Sequence, residues 1–475
     1  MTERWSAASA REAARRLLTQ PHDDHVNASP TRDAVPVTKL GRDPRGPFAD
    51  HPAVVAARER NARTRAMVEF TGMPNPLFLP RRGPNSAVID GPDGALTNFS
   101  SYNYLGLAHH PKVIAAVHNA VAQYGASASA SRIISGEIDL YSYLERRLAQ
   151  IYDVDAALIT TSGYLTNAGL IGFLLGDRDA VICDALIHAS VVSGVRWSGA
   201  RRVTFRHNDP GSLRSVLRMS RGRFDRALIV VEGHYSMDGD IAALPEIAAL
   251  AQEFDCAVMI DEAHSIGVLG AHGHGAREHF GLSGDAVDIW MGTLSKALGS
   301  CGGFIAGNGD LIEAIRSAAP GVAQLTGGPA PAAAAAALAA LDVLETEPDR
   351  LARLWRNAEW FASALRERNL DLGSSQNTPI CPVLVPGELQ VGYASSVLMQ
   401  AGIYVGPVAA PAVQPGQERL RFFLTSEHTE DQLITTADLV AEVAALVSQS
   451  GNSFTMSDAT TLIHDLNASS RRRDS

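Results

Sequence analysis

Between residues 155 and 307, six short apolar runs (156–159, 180–183, 227–231, 256–260, 288–291 and 303–306) alternate with segments of helical spacing. A strand that is apolar at every position must be covered on both faces. Helices placed between successive strands cover a parallel sheet in that way. The expected fold class is therefore α/β, built on a mostly parallel sheet. Ligands in such sheets sit at the carboxyl ends of the strands. The residues with chemical potential fall at those ends: Ser162 and Gly163 after the first run, His188 after the second, Asp261 and His264 after the fourth, and Lys296 after the fifth.

Lys296 stands in the turn Gly292-Thr293-Leu294-Ser295-Lys296-Ala297-Leu298-Gly299, 35 residues after Asp261 of Met259-Ile260-Asp261-Glu262-Ala263-His264. A pyridoxal 5'-phosphate site needs this pair. The amine forms a Schiff base with the cofactor aldehyde, and the carboxylate keeps the pyridine nitrogen protonated so that the ring accepts electrons. Once displaced by substrate, the amine is also the candidate base for the α-proton. Taken singly, each residue has a plainer reading: a strand-end aspartate that caps a helix, a surface lysine, a core histidine. Together they point to the cofactor. His264 can reach its phenolic oxygen, and the hydroxyls of Thr293 and Ser295 can meet its phosphate. In Thr161-Ser162-Gly163-Tyr164 a strand passes into an apolar helix, where free amides, a serine hydroxyl and a glycine suit an anion. His188 can stack its imidazole on the ring.

Composition narrows the partners. The chain has 475 residues, 46% hydrophobic and 19% charged, an ordinary globular balance. Its net charge of −10 offers no basic field for nucleic acid or an anionic membrane surface. The short basic run at 196–202 reads as a solvated face. Cys183, Cys256, Cys301 and Cys381 lack the spacing of a disulfide framework or a zinc site, so no metal and a cytoplasmic, reducing compartment are expected. No apolar stretch is long enough to span a bilayer, and no export signal precedes the first charges.

The expected organisation is a helix-and-linker extension over 1–55 with an amphipathic helix at 7–18, and a segment over 56–105 ending in a hairpin at 87–99. A large cofactor-binding domain over 106–330, a smaller α/β domain over 331–450 and a polar tail over 451–475 follow. Thr429-Glu430-Asp431-Gln432 has the pattern of a capping box for the last helix.

Over roughly residues 95–445 the chain resembles the α-oxoamine synthases, a family of fold-type I pyridoxal phosphate enzymes. The resemblance is carried in order by Ser101-Tyr102-Asn103-Tyr104-Leu105-Gly106-Leu107, Ser131-Arg132-Ile133-Ile134-Ser135-Gly136, the Ser162-Gly163-Tyr164 turn and Ile187-His188-Ala189-Ser190. It continues through Arg206-His207-Asn208-Asp209, Glu232-Gly233-His234-Tyr235-Ser236-Met237-Asp238-Gly239, Asp261-Glu262-Ala263-His264, Thr293-Leu294-Ser295-Lys296, and Leu420-Arg421 with Thr425.

The resemblance implies an aspartate aminotransferase-like fold with a large domain and a smaller C-terminal one. It also implies cofactor contacts from Tyr164, Glu232, Ser236 and His264, His188 stacked on the ring, and the amino-acid carboxylate held by Asn103 and Arg421. The implied assembly is a homodimer with sites at the subunit interface. The implied reaction condenses a small amino acid with an acyl thioester, delivered by coenzyme A or an acyl-carrier protein, and releases carbon dioxide and an α-amino ketone. An aminotransferase on the same fold, or a non-catalytic partner subunit, are the alternatives. One stretch departs from the family pattern. Where members carry Ser/Thr-Thr-Ser-x-Pro-Pro near the neighbouring subunit's phosphate, this chain has Gln324-Leu325-Thr326-Gly327-Gly328-Pro329-Ala330-Pro331. Matching the first proline puts Thr326 at the phosphate position; matching the second puts Gly327 there.

Overall fold

The computed structural model describes residue 46 and residues 48–71, 75–92 and 94–449. The helix expected at 7–18 and the tail after 450 lie outside the described residues. The chain divides into two compact units, residues 1–65 and 66–475. The described part of the first is a turn leading into a helix, Pro52–Thr71, that continues past the end of that unit. Arg58 Nη2 donates to the Ala49 carbonyl at 2.9 Å.

In the second unit β1 (Val88–Gly91) and β2 (Gly94–Asn98) form the expected antiparallel hairpin. The strands of the main sheet are β3 (Ala156–Thr160), β4 (Ala180–Asp184), β5 (Arg201–Phe205), β6 (Ala227–Glu232), β7 (Ala257–Asp261), β8 (Ile289–Thr293) and β9 (Gly303–Gly307), in the order β3-β9-β8-β7-β6-β4-β5. All six apolar runs are strands. β9 alone runs antiparallel to its neighbours, β3 and β8. The remaining pairs are parallel, so the carboxyl ends of β3, β4, β6, β7 and β8 share one edge.

The alternation of side chains along each strand feeds two apolar layers. Leu158, Val181, Leu228, Met259 and Met291 face a layer completed by the helices Gly163–Leu174, Ala189–Ser198 and Gly309–Ala318. Ile159, Ile182, Ile229, Ile260 and Trp290 face the other, with helices Asp139–Tyr152, Leu244–Glu253 and Pro331–Thr346. β5 is the strand that the apolar-run criterion missed. It forms the sheet edge, and Arg201 and Arg202 are exposed there. The basic run at 196–202 is therefore half helix end and half edge strand. Edge strands carry charge where central strands cannot, because one side faces water.

β10 (Ile380–Leu384), β11 (Ile403–Tyr404), β12 (Gly406–Val408) and β13 (Arg419–Phe423) follow in the last third of the chain. β10, β13 and β12 make a small antiparallel sheet. β2 pairs parallel with β11, Thr97 opposite Ile403, which joins the hairpin to the C-terminal third. The last helix, Glu430–Gln449, starts on the predicted capping box. Thr429 Oγ1 accepts from the Gln432 amide at 3.3 Å, and Gln432 Oε1 accepts from the Thr429 amide at 2.9 Å. Replacing Thr429 by alanine leaves both ends of that exchange weakened. The expected loss is about 1 kcal/mol of stability, measured as a lowered denaturation midpoint.

Candidate active site

At the end of β7 the carboxylate of Asp261 is buried and held on both oxygens. Oδ1 accepts from the Ala263 amide at 2.9 Å and Oδ2 from Asn167 Nδ2 at 2.8 Å. Asn167 Nδ2 also donates to Ser190 Oγ at 2.9 Å. Ser190 Oγ lies 2.7 Å from His188 Nδ1, which also accepts from the Ser190 amide at 3.3 Å. Because both Ser190 groups can donate to Nδ1, the proton of a neutral His188 belongs on Nε2. One chain of donors thus orients Asp261 and His188 together. His188 begins the helix Ala189–Ser198 and leaves its ring exposed; Tyr164 meets it edge-on at 6.0 Å between centroids. Asn167 and Ser190 were not among the sequence candidates. The available signal was an amide one turn inside an otherwise apolar helix, a costly place for a polar group without a partner.

Lys296 follows β8 in a turn held by Leu294 N to Gly302 O and Ser300 N to Leu294 O, each 3.0 Å. Its Nζ is 2.8 Å from His264 Nε2 and 5.4 Å from the centre of the Tyr102 ring. Removal from water lowers its pKa from 10.5 to about 8, although Asp261 and Glu232 favour the charged form; Arg421 pushes it further down. Burial, then the neighbouring Lys296, holds the pKa of His264 well below its ordinary value. His264 is also gripped from behind: its carbonyl is 3.0 Å from His234 Nδ1, and Tyr104 Oη is 2.7 Å from its Nδ1.

The turn Ser162-Gly163-Tyr164 opens the helix Gly163–Leu174, with Ser162 Oγ accepting from the Leu165 amide at 3.4 Å. The first amides of a helix have no partners within it and present a positive end to an anion. Backbone approach is close here. A Cβ on Gly303 would lie 2.8 Å from Gly163 Cα, and one on Gly163 would lie 3.2 Å from Thr293 Oγ1. The Thr293 hydroxyl donates to Gly302 O at 2.8 Å and accepts from the Ser295 amide at 3.2 Å; Ser295 Oγ accepts from the Gly302 amide at 3.1 Å. Both hydroxyls thus close the turn that carries Lys296.

Arg421, on β13, brings the C-terminal sheet into the site. Its Nη1 donates to the Ser236 carbonyl at 2.8 Å, its guanidinium lies 4.7 Å from the Phe423 ring centre, and its buried Nε has no partner among the described residues. Glu232, buried at the end of β6 opposite Asp261, accepts from the Ser236 amide at 3.0 Å, while its Oε1 is unpartnered. Burial first, and Asp261 second, raise its pKa to about 7. Asn103 is buried with both ends of its amide engaged: Nδ2 donates to Asn85 O at 3.0 Å and Oδ1 accepts from the Ala108 amide at 3.2 Å. It braces the loop that carries Tyr102 and Tyr104. Thr326 stands apart from these residues, lining a cleft with Leu165, Phe173, Trp197 and Leu325.

The assembled residues fit pyridoxal phosphate. An amine of depressed pKa lies under the charge of a doubly held carboxylate, the exposed imidazole of His188 is tied to that carboxylate through Asn167 and Ser190, and a glycine-lined helix start gives backbone access to an anion. The unpartnered buried atoms of Glu232 and Arg421 are polar groups of the kind a bound molecule satisfies.

A model of the class I and II aminotransferase family matches residues 95–438. The chain is 42% identical over 347 residues to 8-amino-7-oxononanoate synthase of Symbiobacterium thermophilum, covering 73% of this chain and 87% of that relative. It is 37% identical over 346 residues to serine palmitoyltransferase of Sphingobacterium spiritivorum, covering 73% and 86%. A solved structure of SPT with PLP internal aldimine matches at a TM-score of 0.77 and 30% identity, over 86% of this chain and 100% of that one.

Glu232 makes stability depend on pH with a definite sign. Its pKa is raised on folding from 4.5 to about 7, so the folded chain binds more protons across that interval. The stability this proton contributes is complete below pH 4.5 and lost as pH rises through 7. Glu232→Gln removes the loss. Thermal melts from pH 4 to 8 should show the variant gaining on the parent as pH rises; parallel curves would contradict the assignment.

Proposed function

The chain belongs to the α-oxoamine synthases of the class I and II aminotransferase family, and on that premise we propose that it joins a small amino acid to an acyl thioester with loss of carbon dioxide. A carbon–carbon bond forms at the α-carbon, the acyl carbon–sulfur bond breaks to release the thiol, and the carboxylate leaves as carbon dioxide. The product is an α-amino ketone. The observation that carries this reading is the half-buried amine of Lys296, 2.8 Å from His264 Nε2, at the same strand edge as the anchored carboxylate of Asp261.

Pyridoxal phosphate is the cofactor and supplies the electron sink for charge developing at the α-carbon. Lys296 would hold it through Nζ and, once the substrate amine has displaced that nitrogen, Nζ would take the α-proton; a base whose pKa lies near neutrality combines availability with driving force. Asp261, fixed by Asn167 and Ala263, would keep a proton on the ring nitrogen. His188 would stack on the ring. Ser162, Gly163 and Tyr164 would seat the phosphate beside the turn braced by Thr293 and Ser295, and His264, Ser236 and Glu232 would contact the rest of the cofactor. Arg421 binds the substrate carboxylate as a planar fork, and Asn103 acts through the loop it holds. The acyl donor is a coenzyme A or carrier-protein thioester. Free cysteines fit a reducing cytoplasm, and among the described residues no helix is long and apolar enough to cross a membrane.

The functional unit in this reading is a homodimer. Ile133 (60% exposed), Ile134 (77%) and Leu325 (79%) project from two loops that hold each other. Ser131 Oγ donates to Gln324 O at 2.6 Å, Gly328 N donates to Ala130 O at 3.0 Å, and Arg132 is locked between Glu137 and Glu145. A rigid loop that displays isoleucines is the mark of an interface. Thr326 follows Leu325 and would reach the phosphate of the neighbouring site.

With carboxyl-labelled small amino acids and a panel of acyl thioesters, the protein should release labelled carbon dioxide and an amino ketone, and Lys296→Ala should release neither. Release of a keto acid with the label retained would instead identify an aminotransferase. Ile134→Asp should convert the dimer to monomer in light scattering; a monomeric parent protein would overturn the shared-site arrangement.

A further inference from the structure

Tyr104 meets the imidazole of His264 at the nitrogen opposite the one that faces Lys296. It is fully buried, and among the described residues its hydroxyl has one hydrogen-bond partner, His264 Nδ1 at 2.7 Å. Its backbone is fixed from the C-terminal sheet, where Ser426 N donates to the Tyr104 carbonyl at 2.8 Å and Thr425 Oγ1 donates to the adjacent Asn103 carbonyl at 3.1 Å. On the far side of the imidazole, Nε2 lies 2.8 Å from Lys296 Nζ. Phenol, imidazole and amine form one line of hydrogen bonds.

The donors in that line can be counted. A neutral imidazole has one N–H and one lone pair, a phenol has one O–H, and an ammonium has three N–H donors and no acceptor. If Lys296 were an ammonium donating to Nε2, the imidazole proton would sit on Nδ1 and point at Tyr104, and the phenol proton would be left buried without an acceptor. If Tyr104 donates to Nδ1, the imidazole proton sits on Nε2 and points at Lys296. Only a neutral amine can accept it. The second arrangement leaves neither the phenol proton nor the imidazole proton without an acceptor.

We propose that Tyr104 is a positioning residue that fixes the Nε2–H tautomer of His264 and thereby selects the neutral amine of Lys296. The inference rests on the functional reading above only in giving that neutrality a use, since the amine must lack a proton to capture an aldehyde. Other charges bear on the same nitrogen. Asp261 and Glu232 draw it towards the ammonium, and Arg421 opposes them. His234, Arg421 and His188 all disfavour a charged His264. Because the carboxylates favour the proton on Lys296, a device that disfavours it has work to do.

Two measurements on the full-length chain test this. In the cofactor-free protein labelled with nitrogen-15 histidine, the His264 resonances, assigned by their loss in His264→Asn, should report a proton on Nε2; a proton on Nδ1 overturns the proposal. The rate of pyridoxal phosphate capture, followed by absorbance and mapped to Lys296 after borohydride reduction, should rise with pH. Its midpoint should move up by on the order of one unit in Tyr104→Phe, a tenfold change in the proton equilibrium. An unmoved midpoint in a folded variant overturns the proposal. If Tyr104→Phe does not fold, the tautomer measurement still decides. Capture at a lysine other than 296 would refute the functional reading and leave the tautomer result standing.

Discussion

The arrangement depends on an amine withdrawn from water in the presence of opposing charges. Burial disfavours the Lys296 ammonium, whereas Asp261 and Glu232, at the ends of adjacent strands, favour it. Burial outweighs them, and the amine rests near pKa 8, where a small change in surroundings moves its proton. Stronger carboxylate contact would leave an inert ammonium. Both oxygens of Asp261 are engaged by Asn167 and Ala263, which fixes the carboxylate in place.

These groups meet because a parallel sheet brings strand ends together regardless of their distance along the chain. Glu232 and Asp261 are opposite one another in register, and β8 next to them leads directly into the lysine turn. The antiparallel β9 has a separate use. It returns the chain beside β8 so that Gly302 and Gly303 press against Thr293 and Gly163. The helix start and the lysine turn are thereby packed backbone to backbone, without side chains to hold them apart. From the other direction, the C-terminal sheet contributes Arg421 and pins the loop bearing Tyr102 and Tyr104 through Thr425 and Ser426.

Central strands were legible because burial on both faces leaves no room for polar residues, and that signature is local. β5 was not, since its outer positions meet water and its arginines read as a surface run. The capping box at Thr429 was legible because both partners lie within one turn. The destination of the hairpin was invisible: its partner, Ile403–Tyr404, is two residues long and some 300 positions away. Lys296, Asp261, His188 and His264 could be named from motif and strand-end position. The residues that orient them could not, because Asn167, Ser190 and Tyr104 act through bonds to groups 23 to 160 positions distant. Thr293 and Ser295 were recognised as hydroxyls near the lysine, but the bonds that occupy them depend on how Gly302 folds back.

The amino-acid sequence by itself determined the α/β class, the strand edge that gathers the chemistry, and the lysine and aspartate that select the cofactor. Each of these is written in residue types and short spacings that physical chemistry reads locally. Tertiary structure alone decided the protonation of those groups, the tautomers of the histidines between them and the reach of Arg421 into the site. These depend on desolvation and on hydrogen-bond partners supplied from remote parts of the chain, which exist only once the strands and loops have packed.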